Sequence, residues 1–391
     1  MRILMVTETF FPIVGGSETA IRYLSDALSD LGHEVMVAVM NVPQSSSPSK
    51  KFMFRQLPST VGGIDGKTFG KIWNCRRLIR EFRPDVVNAH FLFESGMVGT
   101  RAAHKEGVPS VVSIRGRGIF YRPRNFFDGL LSRWWIQGAC TADGFIATSQ
   151  EMADIAEQRH GIHPLAISNG VETDLFTPER KKDIRTPLGI SARQRVLFCA
   201  RRLVPKNGIE YMIRALPILR KQEDAVLLLA APLNAEYDKL CSLVDTLGMR
   251  SYVRFLGPIL HEELPSYFAS ADVTIQPSIA EARSLACLEA MASGAAVVAT
   301  ACGGLKELIT HRENGYLIPA FEGSTYQVGA VNERGVRDLA DAVLTLLHDP
   351  SLRAKICLGA RAYAETCSWP AIAGQSLDIF QRAIHSFSSP R

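Results

Sequence analysis

No apolar run in the 391 residues approaches the roughly 20 needed to cross a bilayer; the longest, 225–231 and 295–301, fall far short. The opening Met-Arg-Ile-Leu-Met-Val-Thr-Glu meets its first acid at Glu8 and lacks the form of a secretory leader, so neither a membrane span nor a signal peptide is expected. The eight cysteines include no C-x-x-C pair and no histidine neighbour at a repeating spacing, which argues against zinc and iron–sulfur sites. Several lie inside apolar runs, such as Cys199 and Cys287, where a thiol acts as a small buried hydrophobe in a reducing compartment; a cytoplasmic protein is expected. Repetitive or disordered composition is also missing: 47% of residues are apolar, 21% are charged, and 30 Gly and 20 Pro are spread along the chain.

What is present is a chain long enough for two or three domains. Net charge is only +5, but residues 50–133 hold 16 Lys or Arg against 6 Asp or Glu, so part of the first half is basic. Short apolar runs at 3–7, 35–40, 85–89, 109–114, 144–148 and 165–168 alternate with helix-length segments at 95–106 and 150–159. The first helix, running to about residue 31, carries Ile21, Leu24, Ala27, Leu28 and Leu31 on one face and stops at Gly32, with Ser17 as a candidate N-cap. Strands that are apolar throughout and separated by helices predict a parallel, doubly wound sheet.

The rhythm lapses over 171–193, a polar stretch with Pro178 and Pro187, and restarts with strands at 196–200, 225–231, 253–256, 273–276 and 296–300. Helices are predicted at 209–221, 235–247, 262–270, 285–293, 305–309, 336–348 and 351–365. An exposed loop is expected at 321–334, and a break at 367–370 precedes a last helix over 372–387. The fold class is α/β, with two tandem Rossmann-like domains. Their boundaries are 1–175 and 194–366, with a linker at 176–193 and a terminal segment at 367–391.

In open parallel sheets ligands meet the carboxyl ends of strands. Phe11-Pro12-Ile13-Val14-Gly15-Gly16-Ser17-Glu18 sits at the first such end; its glycines allow close backbone approach, and a plain strand-to-helix turn is the alternative. Arg201-Arg202-Leu203-Val204-Pro205-Lys206-Asn207-Gly208 follows the first strand of the second half and suits a diphosphate, unless it is a solvated basic loop. Glu281 lies in a loop before a helix beginning near Ser284, whose free N–H groups can face a phosphate. Glu289 lies about a turn and a half into that helix among Leu288, Ala290, Met291 and Ala292. A carboxylate in so apolar a setting can accept both hydrogen bonds of a ribose diol, while Glu281 meets sugar hydroxyls. Arg115-Gly116-Arg117-Gly118 is not a dinucleotide fingerprint, because Tyr121 holds the last glycine position, and His90 marks another strand end.

Together these residues resemble the family 4 glycosyltransferases. Gly15-Gly16 is similar to the family's N-terminal glycine loop, Asn169-Gly170-Val171-Glu172 through Phe176 to its N-G-V-D-x-x-x-F signature, and Arg202-Leu203 through Gly208 to its R-L-x-x-x-K-G loop. Glu281 and Glu289 match its paired glutamates, followed by Ala290-Met291-Ala292-x-Gly294, then Gly303-Gly304 and Glu307. The resemblance covers nearly the whole chain. It implies a GT-B fold, two Rossmann-like domains facing a cleft with a C-terminal helix crossing back to the N-terminal domain. It also implies transfer of a sugar from a UDP- or GDP-linked donor to a hydroxyl with retention, in cell-surface polysaccharide or glycolipid synthesis.

The implied roles place Arg202 and Lys206 on the diphosphate, Ser284 and Leu285 at the phosphates through their backbone, Glu289 on the ribose and Glu281 at the transferred sugar, with Gly15 and Gly16 beside the donor. No metal and no cofactor is expected. The family's usual lysine position holds Asn207, its common Phe-Gly after the first glutamate is Arg283-Ser284, and the histidine and acid of many members are replaced by Arg115 and Gly118. His90 or Arg115 is therefore the catalytic candidate of the first domain.

Residues 115–135 interleave cations with aromatics, including Phe120, Phe126, Phe127, Trp134 and Trp135. Such a segment can rest on anionic lipid at the inner face of a membrane, where a lipid-linked acceptor is found, or fill the core while its arginines are solvated. The partners expected are a nucleotide-sugar donor and a carbohydrate or lipid-linked acceptor. No nucleic-acid motif accompanies the basic excess. A small-molecule acceptor, or a non-catalytic nucleotide-binding protein of the same fold, is the alternative.

Overall fold

In a computed structural model, residues 1–11, 15–41, 49–61, 64–65, 67–116, 118–121, 123–321 and 329–388 are described. Pro12, Ile13 and Val14 of the first glycine loop, Arg117 and Arg122 of the basic-aromatic segment, and 322–328 of the expected loop lie outside them. The chain divides into two compact units, the first made of Met1–Gly170 with Trp369–Arg391, the second of Val171–Ser368.

The first unit runs β1 (Arg2–Thr7), α1 (Gly16–Asp30), β2 (Glu34–Val39), β3 (Met53–Gln56), β4 (Thr60–Val61), β5 (Ile64–Asp65), α2 (Lys67–Phe82), β6 (Val86–His90), α3 (Glu94–Lys105), β7 (Ser110–Ile114), α4 (Phe126–Ala139), β8 (Gly144–Ala147), α5 (Gln150–His160) and β9 (Leu165–Ala166). Its seven-stranded sheet has the order β3-β2-β1-β6-β7-β8-β9. Every pairing in it is parallel, with Ile3 opposite Val35 on one side and Val86 on the other. Ile3, Leu4, Met5 and Val6 are fully buried, as a strand covered on both faces requires.

The second unit contains β10 (Arg195–Ala200), α6 (Ile209–Leu219), β11 (Ala225–Ala230), α7 (Tyr237–Thr246), β12 (Val253–Gly257), α8 (Leu264–Ser270), β13 (Val273–Gln276), α9 (Leu285–Ala292), β14 (Val297–Thr300), α10 (Leu305–Leu308), β15 (Tyr316–Ile318), α11 (Glu333–His348) and α12 (Pro350–Thr366). Its sheet is also parallel, in the order β12-β11-β10-β13-β14-β15. Alternation along β10 sends Leu197 and Cys199 into a core shared with α6 and α11, and Val196 and Phe198 into one shared with α9. The last helix, α13 (Trp369–Ser388), belongs to the first unit; it packs on α1, where Trp369 stacks on Tyr23 with ring centroids 6.0 Å apart.

Several elements depart from the sequence expectation. Ser17 is inside α1 rather than its cap: the N-cap is Gly15 and no side chain caps it. β3, α2, α4 and β15 have no counterpart in the hydrophobic pattern, because β15 is only three residues long and α4 is apolar on both its sides. The aperiodic stretch expected as a linker at 176–193 packs on the second unit, where Phe176, Ile184 and Ile190 are buried; irregular backbone can fill a core without any period.

Candidate functional site

In the second unit the site grows from the end of β10. Arg201, buried, donates from Nη1 to Ser284 Oγ at 2.7 Å and from Nη2 to Asn207 Oδ1 at 2.8 Å and Ser278 Oγ at 2.9 Å. Its guanidinium also pairs with Glu281 in a short contact. Burial pushes Glu281 upward, but the charge and hydrogen bond of Arg201, with Lys206 adding to them, hold its carboxyl below the ordinary glutamate range. Ser284 is therefore engaged twice. It accepts from Arg201 and, as the side-chain cap of α9, from the Cys287 N–H at 3.2 Å.

The loop before α6 is shaped by one glycine. Gly208 has φ +67°, and a Cβ there would stand 1.8 Å from the Pro277 carbonyl oxygen, so only glycine lets this turn pass beneath the end of β13. The Lys206 carbonyl accepts the Ile279 N–H at 2.8 Å, tying the loop to the segment that leads to Glu281. Asn207 is buried and directs its amide to the Arg202 carbonyl at 2.8 Å, while Arg202 and Lys206 are exposed.

Glu289 is buried on α9 in a different neighbourhood. Desolvation raises its pKa, opposed by His261, with Glu172 adding to the rise. His261 Nε2 lies 3.3 Å from Glu172 Oε2, and its ring meets Phe176 edge-on at 5.0 Å. Burial pulls the His261 pKa down, yet Glu172 and Glu289 outweigh it and leave the imidazole more basic than usual. Arg283, beside Ser284, reaches Glu307 and the Tyr363 hydroxyl, each at 3.3 Å.

In the first unit His90 is fully buried at the end of β6. Its Nδ1 accepts from Arg115 Nε at 3.2 Å, and Nε2 faces Met5 Sδ at 3.4 Å, so both nitrogens are occupied within the unit. Burial and the neighbouring Arg115 drive its pKa well below the ordinary value, leaving a neutral ring. Arg115 also donates to Asn169 Oδ1 at 2.8 Å; burial brings its pKa down to about 10 against the pull of Glu18. Glu18 stands in the first turn of α1, above Gly15, and accepts from Thr9 at 2.6 Å.

Residues 180–362 match the family model described as Glycosyl transferases group 1, and residues 14–175 match that described as Glycosyltransferase Family 4. The chain belongs to the family 4 glycosyltransferases, of GT-B type. Among curated relatives, the D-inositol 3-phosphate glycosyltransferase of Arthrobacter sp. (strain FB24) is 26% identical over 95% of this chain and 91% of its own. The alpha-monoglucosyldiacylglycerol synthase of Streptococcus pneumoniae is 24% identical over 85% of this chain and 78% of its own. Among solved structures, sucrose-phosphate synthase from Thermosynechococcus elongatus aligns with a TM-score of 0.78 at 21% identity, covering 98% of this chain and 99% of that one. Anabaena Alr3699/HepE in complex with UDP aligns with the same TM-score at 22% identity over 97% and 100%.

In this family 4 glycosyltransferase, Glu281 and Ser284 are joined through Arg201, Leu285 opens α9 half-buried, and Glu289 stands one turn further on beside His261. Arg202 and Lys206 flank that cluster without entering it. Gly15, Gly16, His90 and Arg115 gather at the sheet end of the other unit. Sequence reasoning quoted Arg201, Asn207 and Glu172 within motifs without singling them out, and missed His261. Arg201 precedes the residue chosen, and a strand end does not reveal which of two adjacent arginines turns inward. Glu172 was already inside a quoted motif, but its partner His261 comes from a distant loop after β12.

Proposed function

We propose that this glycosyltransferase moves a sugar, with retention, from a UDP- or GDP-linked donor to a hydroxyl of a carbohydrate or lipid-linked acceptor in cell-surface polysaccharide or glycolipid synthesis. One observation carries the donor reading: Ser284, the N-cap of α9, lies in a cluster that also holds Arg201 and Glu281, with Glu289 buried one turn further on, where desolvation raises its pKa. The first N–H groups of that helix and the exposed Arg202 and Lys206 meet the diphosphate; Leu285 N–H belongs to this set. Glu289 accepts the ribose hydroxyls, and Glu281, kept ionised and oriented by Arg201, accepts hydroxyls of the transferred sugar.

Fixed cations and the helix dipole stabilise the departing nucleotide, so no metal or other cofactor is required in this reading. The donor phosphate assists removal of the acceptor proton on the face from which the nucleotide leaves. In the first unit, Gly15 and Gly16 stand at the start of α1, and Arg115, which donates to neutral His90, is the candidate at the acceptor. The eight cysteines, none of them in a disulfide among the described residues, fit a cytoplasmic location. The named relatives are a D-inositol 3-phosphate glycosyltransferase and an alpha-monoglucosyldiacylglycerol synthase, so a small polar acceptor and a lipid acceptor are both to be tested.

Calorimetry with UDP, GDP and ADP, with and without EDTA, followed by turnover of the matching sugars, checks this assignment. One nucleotide binds regardless of EDTA. Glu289→Ala weakens its affinity by about tenfold, the equivalent of a lost hydrogen bond to a charged group, whereas Glu281→Ala lowers kcat far more than affinity. Unchanged kinetics in both variants would sink the assignment.

A further inference from the structure

Beyond the two clusters, the first unit exposes a set of large apolar side chains on α2 and α4. Phe126 is 75% exposed, Phe127 81% and Phe69 70%, and Leu130, Leu131 and Trp73 are also open to solvent. At about 100° per residue, positions 126, 127, 130, 131 and 134 share one arc of α4. The two helices meet through this surface, since the Phe69 and Trp134 rings are 5.6 Å apart. The other side of α4 is the packed one: Trp135 meets Phe93 edge-on at 4.8 Å, and Ser132 and Ala139 are buried. Single exposed hydrophobes are ordinary; a contiguous aromatic and leucine face on a helix that already has a packed side marks a docking surface.

Charge identifies the occupant. Arg101 lies over the Trp134 ring at 5.2 Å, and Arg124 and Arg133 are exposed at the edges of the same face. Arg76 and Arg80 share the single carboxylate of Glu106, and Arg77 pairs with Glu81, so these three cations leave a net charge of only one. The acid on α4, Asp128, is bound by the Tyr121 hydroxyl and the Arg124 N–H. Aromatic and leucine side chains rimmed by arginines match the interface of an anionic bilayer, with rings at headgroup depth and guanidinium groups on lipid phosphates. A second copy would bring the same cations against each other.

We propose that α2 and α4 form a membrane-docking face for anionic lipid, with Phe69, Trp73, Phe126, Phe127, Leu130 and Leu131 entering the interface. Two of these six residues, Phe69 and Trp73, lie on α2, outside the basic-aromatic stretch visible in the sequence. The inference does not rest on the donor assignment, because lipid binding is read without nucleotide.

Co-sedimentation of the full chain with phosphatidylcholine vesicles, and with vesicles in which about one-third of the lipid is phosphatidylglycerol, tests it. The protein sediments with the anionic vesicles, and raised salt weakens the association. The Phe126→Ser/Phe127→Ser variant loses about tenfold or more of the partitioning with its thermal midpoint unchanged, since both residues are exposed. Arg133→Glu weakens binding to the anionic vesicles alone. Protein left in the supernatant with both vesicles, equal partitioning of the double serine variant, or a concentration-dependent dimer abolished by the same substitutions would overturn the proposal.

Discussion

Arg201 is the residue on which the second unit's site depends. It is a cation at the end of β10 whose hydrogen bonds reach the Gly208 loop, Ser278 after β13, the Glu281 loop and the cap of α9. Removing it leaves Glu281 buried without its counter-charge, which costs about 3–5 kcal/mol because the desolvation of the remaining carboxylate is no longer offset. Arg201→Met therefore lowers the unfolding free energy by about that amount in urea titrations at neutral pH. The sign with pH is set by Glu281. Its folded pKa is depressed, so the stability it contributes is present above the unfolded glutamate pKa and is lost as pH falls through the folded value. The gap between the native chain and Arg201→Met accordingly narrows on acidification; a gap independent of pH would show that the pair is not what stabilises the site. Glu289 behaves in the opposite sense. Its raised pKa favours the folded state only while the carboxyl keeps its proton, so this residue is held at neutral pH at some expense of stability.

At the scale of elements, the loop between β10 and α6 and the start of α9 set where those side chains point. Gly208→Ala meets two penalties together, a left-handed φ and a Cβ driven into the Pro277 carbonyl. The substitution is expected to cost about 1–3 kcal/mol or more and to displace Asn207 and Lys206, weakening nucleotide binding as well as lowering the thermal midpoint. Calorimetric affinity and a melting curve on one preparation read both effects, and a variant with native affinity would show that the loop does not serve the donor. Most elements were legible in the sequence because fully apolar strands such as β1 and β11, alternating with amphipathic helices such as α1, have no other stable arrangement. α4 was not legible, since a helix apolar on two sides shows no period, and the face it turns to solvent emerges only when its packed face is known.

For the whole molecule, chain order and unit membership differ. The first unit closes with α13, whose Ile372, Ala373, Ile379, Phe380 and Ala383 are buried, whereas the second begins and ends at neighbouring points, with Val171 bridging Ser368. A fragment of residues 171–368 should unfold in one cooperative urea transition, while 1–170, deprived of α13, exposes the apolar face of α1 and should bind a hydrophobic dye or aggregate. Cooperative unfolding of 1–170 alone would refute this division of labour. The sequence by itself determined the α/β class, the tandem arrangement, the family, and the places where chemistry gathers, because periodicity and glycine spacing are local consequences of backbone geometry. Only the tertiary structure decided that Arg201 rather than Arg202 enters the buried cluster, that His261 and Glu172 share the surroundings of Glu289, and that His90 spends both nitrogens on Met5 and Arg115. Those assignments depend on which side chains from distant segments are desolvated together, and burial and charge pairing are properties of packing that no local pattern encodes.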